Sequence, residues 1–156
     1  MTIKYNNVFI EDAYTICGNY ENDGPLSKYF DKKYEKDLYF GEKSWEQAEV
    51  HLLKEANTNI LKKNKLKEED IDLLISGDLQ NQIAASNYMA REFNIPFLGI
   101  FEACSTSGEG LAIGSTYIEG GFAKRILVST SSHNMAAEKQ FRNPTEYGTP
   151  KPKTAT

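Results

Sequence analysis

Apolar and polar positions follow helical spacing in the middle of the chain. The strongest case begins at Ser44, whose hydroxyl is placed to accept the backbone N–H of Gln47. Asn64 is the predicted end of this helix, after lysines that suit the negative end of its dipole. His51 is interpreted as a partly buried helix histidine rather than a ligand. Apolar side chains recur at steps of three and four and predict one buried stripe: Trp45, Ala48, Leu52, Ala56 and Ile60.

Two further helices are predicted downstream. Asn81 is the candidate N-cap of the first, and Ile95-Pro96 ends it. The second begins near Cys104 and ends at Gly120-Gly121. The apolar residues of the first keep helical spacing: Ala84, Ala85, Tyr88, Met89 and Phe93.

Short apolar runs predict four strands, at residues 7–18, at 73–75 closed by Ser76-Gly77, at 97–101 and at 126–130. Residues 22–25 form a turn signal, and residues 26–43 are interpreted as an irregular packed loop with one short helix. The last three strands alternate with helices, which is typical of a parallel sheet with crossover helices. The run at 97–101 is apolar throughout, as expected when both faces of a sheet are covered.

Composition narrows the class of protein. The chain has 156 residues, of which 40% are hydrophobic and 12% aromatic, enough for one packed domain. Its net charge of -4 excludes the basic surplus expected of a nucleic-acid-binding protein. The sequence contains no apolar stretch of membrane-spanning length, and no apolar secretion signal follows Met1. We therefore expect an intracellular protein.

Cys104 is the most informative candidate for chemistry. The chain has two cysteines, Cys17 and Cys104, with no C-x-x-C spacing, and neither His51 nor His133 completes a metal motif. A disulfide or zinc site is therefore not expected. The predicted strand ends near Phe101 and the helix begins near Cys104, so the thiol lies at a helix N-terminus, which favours an anion. This arrangement predicts a nucleophilic thiol or a carboxylate pocket, and the alternative is a small buried apolar residue.

Other candidate motifs are weaker. Gly108-x-Gly110 resembles a dinucleotide fingerprint, but Gly108 lies seven residues past Phe101, inside the predicted helix, so NAD binding is not expected. Ser131-Ser132-His133 follows a strand, but adjacent residues rarely face each other as a catalytic pair. Three carboxylates could line a pocket mouth or be solvated caps: Asp23, Asp78 and Glu102. Each arginine could bind a carboxylate or be a surface charge: Arg91, Arg125 and Arg142.

Several segments together resemble a known family. They occupy residues 24–26, 38–45, 77–83, 95–99, 103–106, 130–133 and 138–142, from about residue 24 to the C-terminus. With Ala103-Cys104-Ser105 after a strand and before a glycine-rich helix, the chain resembles the N-terminal half of thiolase-like proteins. Within them it is most similar to the stage V sporulation protein AD family.

The resemblance implies an α/β fold in αβα layers, with a mainly parallel sheet and helices on both faces. Residues 1–142 would form the N-terminal half-domain, residues 143–156 an irregular proline-rich tail at a truncation point, and the C-terminal half would be missing. It also implies a non-catalytic subunit that binds dipicolinic acid, free or as its calcium chelate, for uptake into the developing spore. Membrane-embedded sporulation proteins would be its partners, on the spore inner membrane, and residues 126–130 would pair two copies in a homodimer.

The resemblance also suggests where a ligand binds. Cys104 aligns with the thiolase nucleophile, whereas His133 does not occupy a family catalytic position. No metal or cofactor is expected. Two alternatives stay open: an acyl-transfer enzyme of the ketoacyl-synthase or thiolase type, in which Cys104 carries the acyl group as a thioester, and an inert fragment. The predicted ligand-binding residues are Cys104, Ser105, Asp78, Asn81, Ser132 and His133.

Overall fold

The fold is built around a three-stranded parallel sheet. A computed structural model describes residues 2–137, 139 and 140. The strands are β1 (Ile16–Cys17), β2 (Lys32–Lys33), β3 (Leu73–Asp78), β4 (Phe97–Gly99) and β5 (Ile126–Ser131), and the helices are α1 (Asn19–Asn22), α2 (Trp45–Lys63), α3 (Ala84–Ala90), α4 (Thr106–Glu119) and α5 (Asn134–Ala137). Single 3-10 turns occur at Ser27–Tyr29, Glu68–Asp70, Asn81–Ile83 and Ala103–Ser105. The main sheet has the order β4-β3-β5, and β1 and β2 form a separate parallel pair.

Helices cover both faces of the central strand. Leu74 points toward α2 and α3, where it joins a buried cluster with Leu53 and Met89. Ile75 points the other way and lies beside Gly110 and Gly114 of α4. Because neighbouring strand residues point to opposite faces, this alternation requires a helix layer on each side. The predicted α/β architecture is confirmed.

The first predicted strand is mostly wrong. Only Ile16–Cys17 of residues 7–18 pairs as a strand, and Phe9 and Ile10 are 82% and 77% exposed. Side-chain contacts, rather than the backbone hydrogen bonds of a sheet, hold this extended segment in place. For example, the guanidinium of Arg125 donates to both carboxylate oxygens of Glu11, at 2.8 and 3.2 Å. A strand needs a paired edge, and residues 7–15 belong to neither sheet of the described residues.

The start of α3 also differs from the prediction. Asn81 is not its N-cap, because Gln82 and Ile83 take left-handed backbone conformations between Asn81 and the helix. Asp78 performs the capping role from the end of β3, where its Oδ2 accepts the backbone N–H of Ser86 at 2.7 Å. A non-local carboxylate thus replaces the local cap.

The other boundaries need smaller corrections. Ser44 accepts the backbone N–H of Gln47 at 3.2 Å and Ala48 is buried, both as predicted, but the main line of buried residues on α2 runs one position later than the predicted stripe. It consists of Glu49, Leu53, Asn57 and Leu61. Strand β4 ends at Gly99, before the predicted Phe101, and residues 22–25 include the end of the unpredicted helix α1. The predicted tail at 143–156 lies outside the described residues.

None of the described helices is both long enough and apolar enough to cross a membrane.

Candidate functional site

A cleft of about 240 Å³ opens at the carboxyl ends of β3 and β5. This is the edge at which parallel α/β sheets place their ligands. The end of β3, the turn before α4 and the end of β5 each contribute one side. The lining residues are Gly77, Asp78, Leu79, Ala103, Cys104, Thr106, Ser107, Thr130, Ser131 and Ser132.

The Cys104 turn is held by local hydrogen bonds. Thr106 Oγ1 accepts the backbone N–H of Glu102 at 3.1 Å and donates to the carbonyl of Ala103 at 2.8 Å. Ala103 has a φ of 45°, a left-handed conformation that costs energy in any residue with a Cβ. Cys104 follows in the 3-10 turn, two residues before α4, and is exposed. The alternative of a small buried apolar residue is therefore wrong, whereas Cys17 is the buried cysteine.

Asp78 lines the cleft but directs its carboxylate into the protein. The residue is 1% exposed, and its Oδ1 accepts the backbone N–H of Gln80 at 2.9 Å. Its Oδ2 caps α3, as described above. Both carboxylate oxygens therefore accept hydrogen bonds from the protein's own backbone. Asp78 forms part of the cleft wall, but neither oxygen is directed at a ligand.

A second buried carboxylate lies beneath the cleft. Glu49 of α2 is 1% exposed, and its Oε1 accepts the hydroxyl of Ser131 at 2.9 Å. Its Oε2 accepts the side-chain amide of Gln80, also at 2.9 Å. Burial raises the pKa of Glu49, and the charge of Asp78 acts in the same direction. The hydrogen bonds from Gln80 and Ser131 partly offset this rise in the pKa.

His133 is turned away from the cleft. It is 5% exposed, and its Nε2 lies 2.8 Å from the carbonyl of Leu38, to which it donates. Its ring meets the ring of Phe40 edge-on, with centroids 5.7 Å apart. Its Nδ1 is buried without a hydrogen-bond partner among the described residues. The imidazole therefore anchors the loop before α2 and forms no pair with Ser131 or Ser132.

The structure brings together three of the six predicted ligand residues. Cys104, Asp78 and Ser132 line the cleft, whereas Ser105, Asn81 and His133 lie outside its lining. Ser105 donates its hydroxyl to the carbonyl of Glu102 at 2.9 Å. The backbone N–H of Asn81 donates to the side chain of Gln140 at 2.8 Å.

The remaining candidates also lie elsewhere. Arg91 lies over the ring of Tyr88, with 5.8 Å between the guanidinium carbon and the ring centroid, and Arg142 is outside the described residues. Gly108 lies inside α4, so the glycine pair is not at a strand-to-helix turn. His51 is partly buried on α2, where Glu42 and Tyr34 contact its two ring nitrogens at 3.1 and 3.3 Å. This confirms its interpretation as a structural helix histidine.

Glu49 and Gln80 were missed by the sequence reasoning. Glu49 follows Ala48 of the predicted stripe directly, and the true buried line continues from it at four-residue steps. An acid on the inner line of an amphipathic helix was therefore the available signal, because buried acids need specific partners. Gln80 carried no comparable signal, since its partner is distant in sequence.

The parallel sheet with helices on both faces is a thiolase-like α/β fold. In a structural comparison, the chain is similar to 3-oxoacyl-[acyl-carrier-protein] synthase III from Aquifex aeolicus VF5, with a TM-score of 0.50 and 23% identity, over 55% of this chain and 30% of that one. Within this class the sequence is more specific. The family model of Stage V sporulation protein AD matches residues 1–156, and the chain belongs to this family.

A curated relative agrees with this assignment. The chain is 53% identical over 149 residues to Stage V sporulation protein AD of Bacillus subtilis (strain 168). The match covers 96% of this chain and 44% of that protein, so the chain spans less than half the length of its relative.

Proposed function

We propose that this chain is part of a non-catalytic, small-molecule-binding subunit of the sporulation apparatus. Its ligand would be dipicolinic acid, free or as its calcium chelate. Membership of the Stage V sporulation protein AD family supports the sporulation role. The observation that carries the binding role is the cleft beside the exposed Cys104, at the edge where α/β sheets bind ligands.

The chemistry of the cleft suits a small carboxylate. Ser107, Thr130 and Ser132 line it, and each hydroxyl is able to donate one hydrogen bond. The first turn of α4 begins at Thr106, and the N-terminal end of a helix attracts anions. Dipicolinate is one ring with two carboxylates, smaller than the drug-sized ligands that need about 300 Å³ or more. A volume of about 240 Å³ is compatible with such a ligand.

His133 does not supply a base to Cys104. A thiol nucleophile gains its reactivity from a neighbouring base or cation. His133 is the histidine nearest to the cleft in sequence, and it donates to Leu38 from a buried position. His133 is therefore not available to activate Cys104 within the described part of the chain.

Isothermal titration calorimetry with dipicolinate, with and without Ca²⁺, tests the proposal. We expect saturable binding to the wild-type chain, and loss of binding in Ser107→Trp, which places a large ring in the cleft lining. Benzene-1,3-dicarboxylate is the matched ligand control because it lacks only the ring nitrogen. The absence of binding at millimolar dipicolinate, in a chain that unfolds cooperatively, would overturn the proposal.

The same preparation distinguishes the two alternatives. If the protein were an acyl-transfer enzyme, incubation with acyl-CoA would add an acyl group to Cys104, which intact-mass spectrometry detects. Cys104→Ser is the control for this reaction. If the chain were an inert fragment, thermal unfolding would be broad and non-cooperative.

The proposed partners follow from the family rather than from the cleft. Two copies would pair through β5, which is an outer strand of the sheet order β4-β3-β5 in the described residues. Membrane-embedded sporulation proteins would hold the subunit at the spore inner membrane. Light scattering tests the first proposal, and a monomer at high concentration contradicts it. Flotation with spore inner-membrane vesicles, compared with protein-free lipid vesicles, tests the second.

A further inference from the structure

Glu49 occupies a position where an apolar residue would be the ordinary choice. It belongs to the buried line of α2 that also contains Leu53 and Leu61. No ammonium or guanidinium group of the described residues forms an ion pair with it. Burial of a carboxyl group without a cation is costly, and well-packed apolar residues replace buried charges at little or no loss of stability. Core packing therefore does not account for an acid at this position.

The two oxygens of Glu49 bind two different sides of the cleft. Ser131 is a lining residue at the end of β5, and it donates to Oε1 at 2.9 Å. Gln80 directly follows the lining residue Leu79, and it donates to Oε2 at 2.9 Å. Glu49 thus connects the loop after β3 to the end of β5 from below.

This connection lies where the sheet stops holding the two sides together. The pairing of β3 with β5 ends at Asp78 opposite Ser131. Beyond that pair, the ladder no longer sets the spacing between the chain segments. The bond from Glu49 to Gln80 lies two residues beyond the last paired residue of β3.

We infer that Glu49 is a positioning residue that sets the width of the Cys104 cleft by tying the loop after β3 to the end of β5. The inference rests on the proposed ligand-binding function of that cleft. Glu49 itself does not line the cleft, so it acts on a ligand through Ser131 and through the Leu79–Gln80 segment. Loss of both hydrogen bonds would free the two sides to move apart.

Two substitutions at position 49 separate positioning from packing. Glu49→Leu introduces an apolar side chain of similar size and removes both acceptors. Glu49→Gln keeps the shape and one acceptor, and rotation of the Gln80 amide restores the second hydrogen bond. Asn57→Leu is the matched control, because Asn57 is a polar residue of the same buried line that donates to Met89 Sδ and does not itself line the cleft.

Two measurements are made on each variant, well below its thermal midpoint. Calorimetry gives the affinity for dipicolinate, and amide NMR of the ligand-free chain gives the resonances of Leu79 and Ser132. We expect Glu49→Leu to weaken binding on the order of tenfold, the lower end of what supporting hydrogen bonds contribute in metal sites, and to shift both resonances. Glu49→Gln and Asn57→Leu are expected to retain wild-type affinity and resonances.

Wild-type affinity and unchanged resonances in folded Glu49→Leu would overturn the inference. An equal loss of affinity in Asn57→Leu would also overturn it, because the effect would then be general to the core. If Glu49→Leu does not fold, Gln80→Leu cuts the same tie from the other side and is judged by the same two results. If the wild-type chain does not bind dipicolinate, the proposed function fails, while the resonances of the ligand-free chain still decide whether Glu49 positions the cleft.

Discussion

Two glycines of α4 differ in the space around them, although they lie two residues apart. A Cβ built on Gly110 would lie 2.6 Å from Val128 Cγ1 and 3.2 Å from Ile100 Cδ1. A Cβ built on Gly108 would have no neighbour within 4 Å. Replacement of each glycine by alanine therefore tests how closely α4, which follows the Cys104 turn, packs against β5.

The difference between the two variants isolates the packing cost. Each replacement removes a glycine from α4, which stabilises a helix by about 1 kcal/mol in its interior and by less in its first turn, where Gly108 lies. Since non-bonded carbons prefer a separation of about 3.5–4.0 Å, Val128 or α4 must move by about 1 Å to accept Gly110→Ala. Overpacking of this kind costs about 1–3 kcal/mol. We therefore expect Gly108→Ala to be more stable than Gly110→Ala by about 2 kcal/mol.

Urea unfolding followed by circular dichroism measures this difference, and thermal unfolding provides a second estimate. A difference of about 2 kcal/mol separates the two melting temperatures by roughly 4–8 °C in a chain of this size. Equal stabilisation by both replacements would refute the close approach of α4 to β5. Destabilisation by Gly108→Ala would show that the exposed side of α4 is covered in solution.

Three further predictions follow from the cleft and the core. Ala103→Gly should raise the free energy of unfolding by about 1 kcal/mol by relieving the left-handed backbone before Cys104, and unchanged or lower stability in urea unfolding would contradict this. Because burial raises the pKa of Glu49, its contribution to stability is complete below its unfolded-state pKa and is lost as the pH rises through its folded-state pKa. In urea unfolding from pH 4 upward, the free energy of unfolding should therefore decline more steeply for wild type than for Glu49→Gln. Parallel profiles would refute this prediction. Dithionitrobenzoate should modify Cys104 rapidly and Cys17 only on unfolding, because Cys104 is exposed and Cys17 buried, and two fast thiols in the native chain would contradict this.

Local patterns were sufficient where neighbours in sequence determine the structure. Ser44 begins α2 because its hydroxyl accepts the backbone N–H of Gln47, three residues away. The alternation of strands and helices from β3 to β5 predicted the parallel sheet, since a parallel pair requires a crossover. The placement of Cys104 between a strand and a helix required only the ends of both elements.

Other features depend on residues that are distant in sequence. Residues 7–15 have an apolar run suited to a strand, but they do not pair, because pairing needs a partner edge that no local pattern specifies. Asp78 rather than Asn81 caps α3, because the fold brings the carboxylate at the end of β3 next to the backbone N–H of Ser86. These outcomes required the relative placement of whole elements.

The candidate site shows the same division. The sequence by itself determined that a thiol follows the carboxyl end of an apolar strand, because strand, turn and helix follow one another along the chain, whereas the structure makes this strand, β4, a half-buried outer strand. Only the tertiary structure decided that His133 turns toward Leu38 and that Glu49 lies beneath the cleft. Side-chain hydrogen bonds form between groups within about 3 Å of each other, and packing of α2 against β5 produces that proximity.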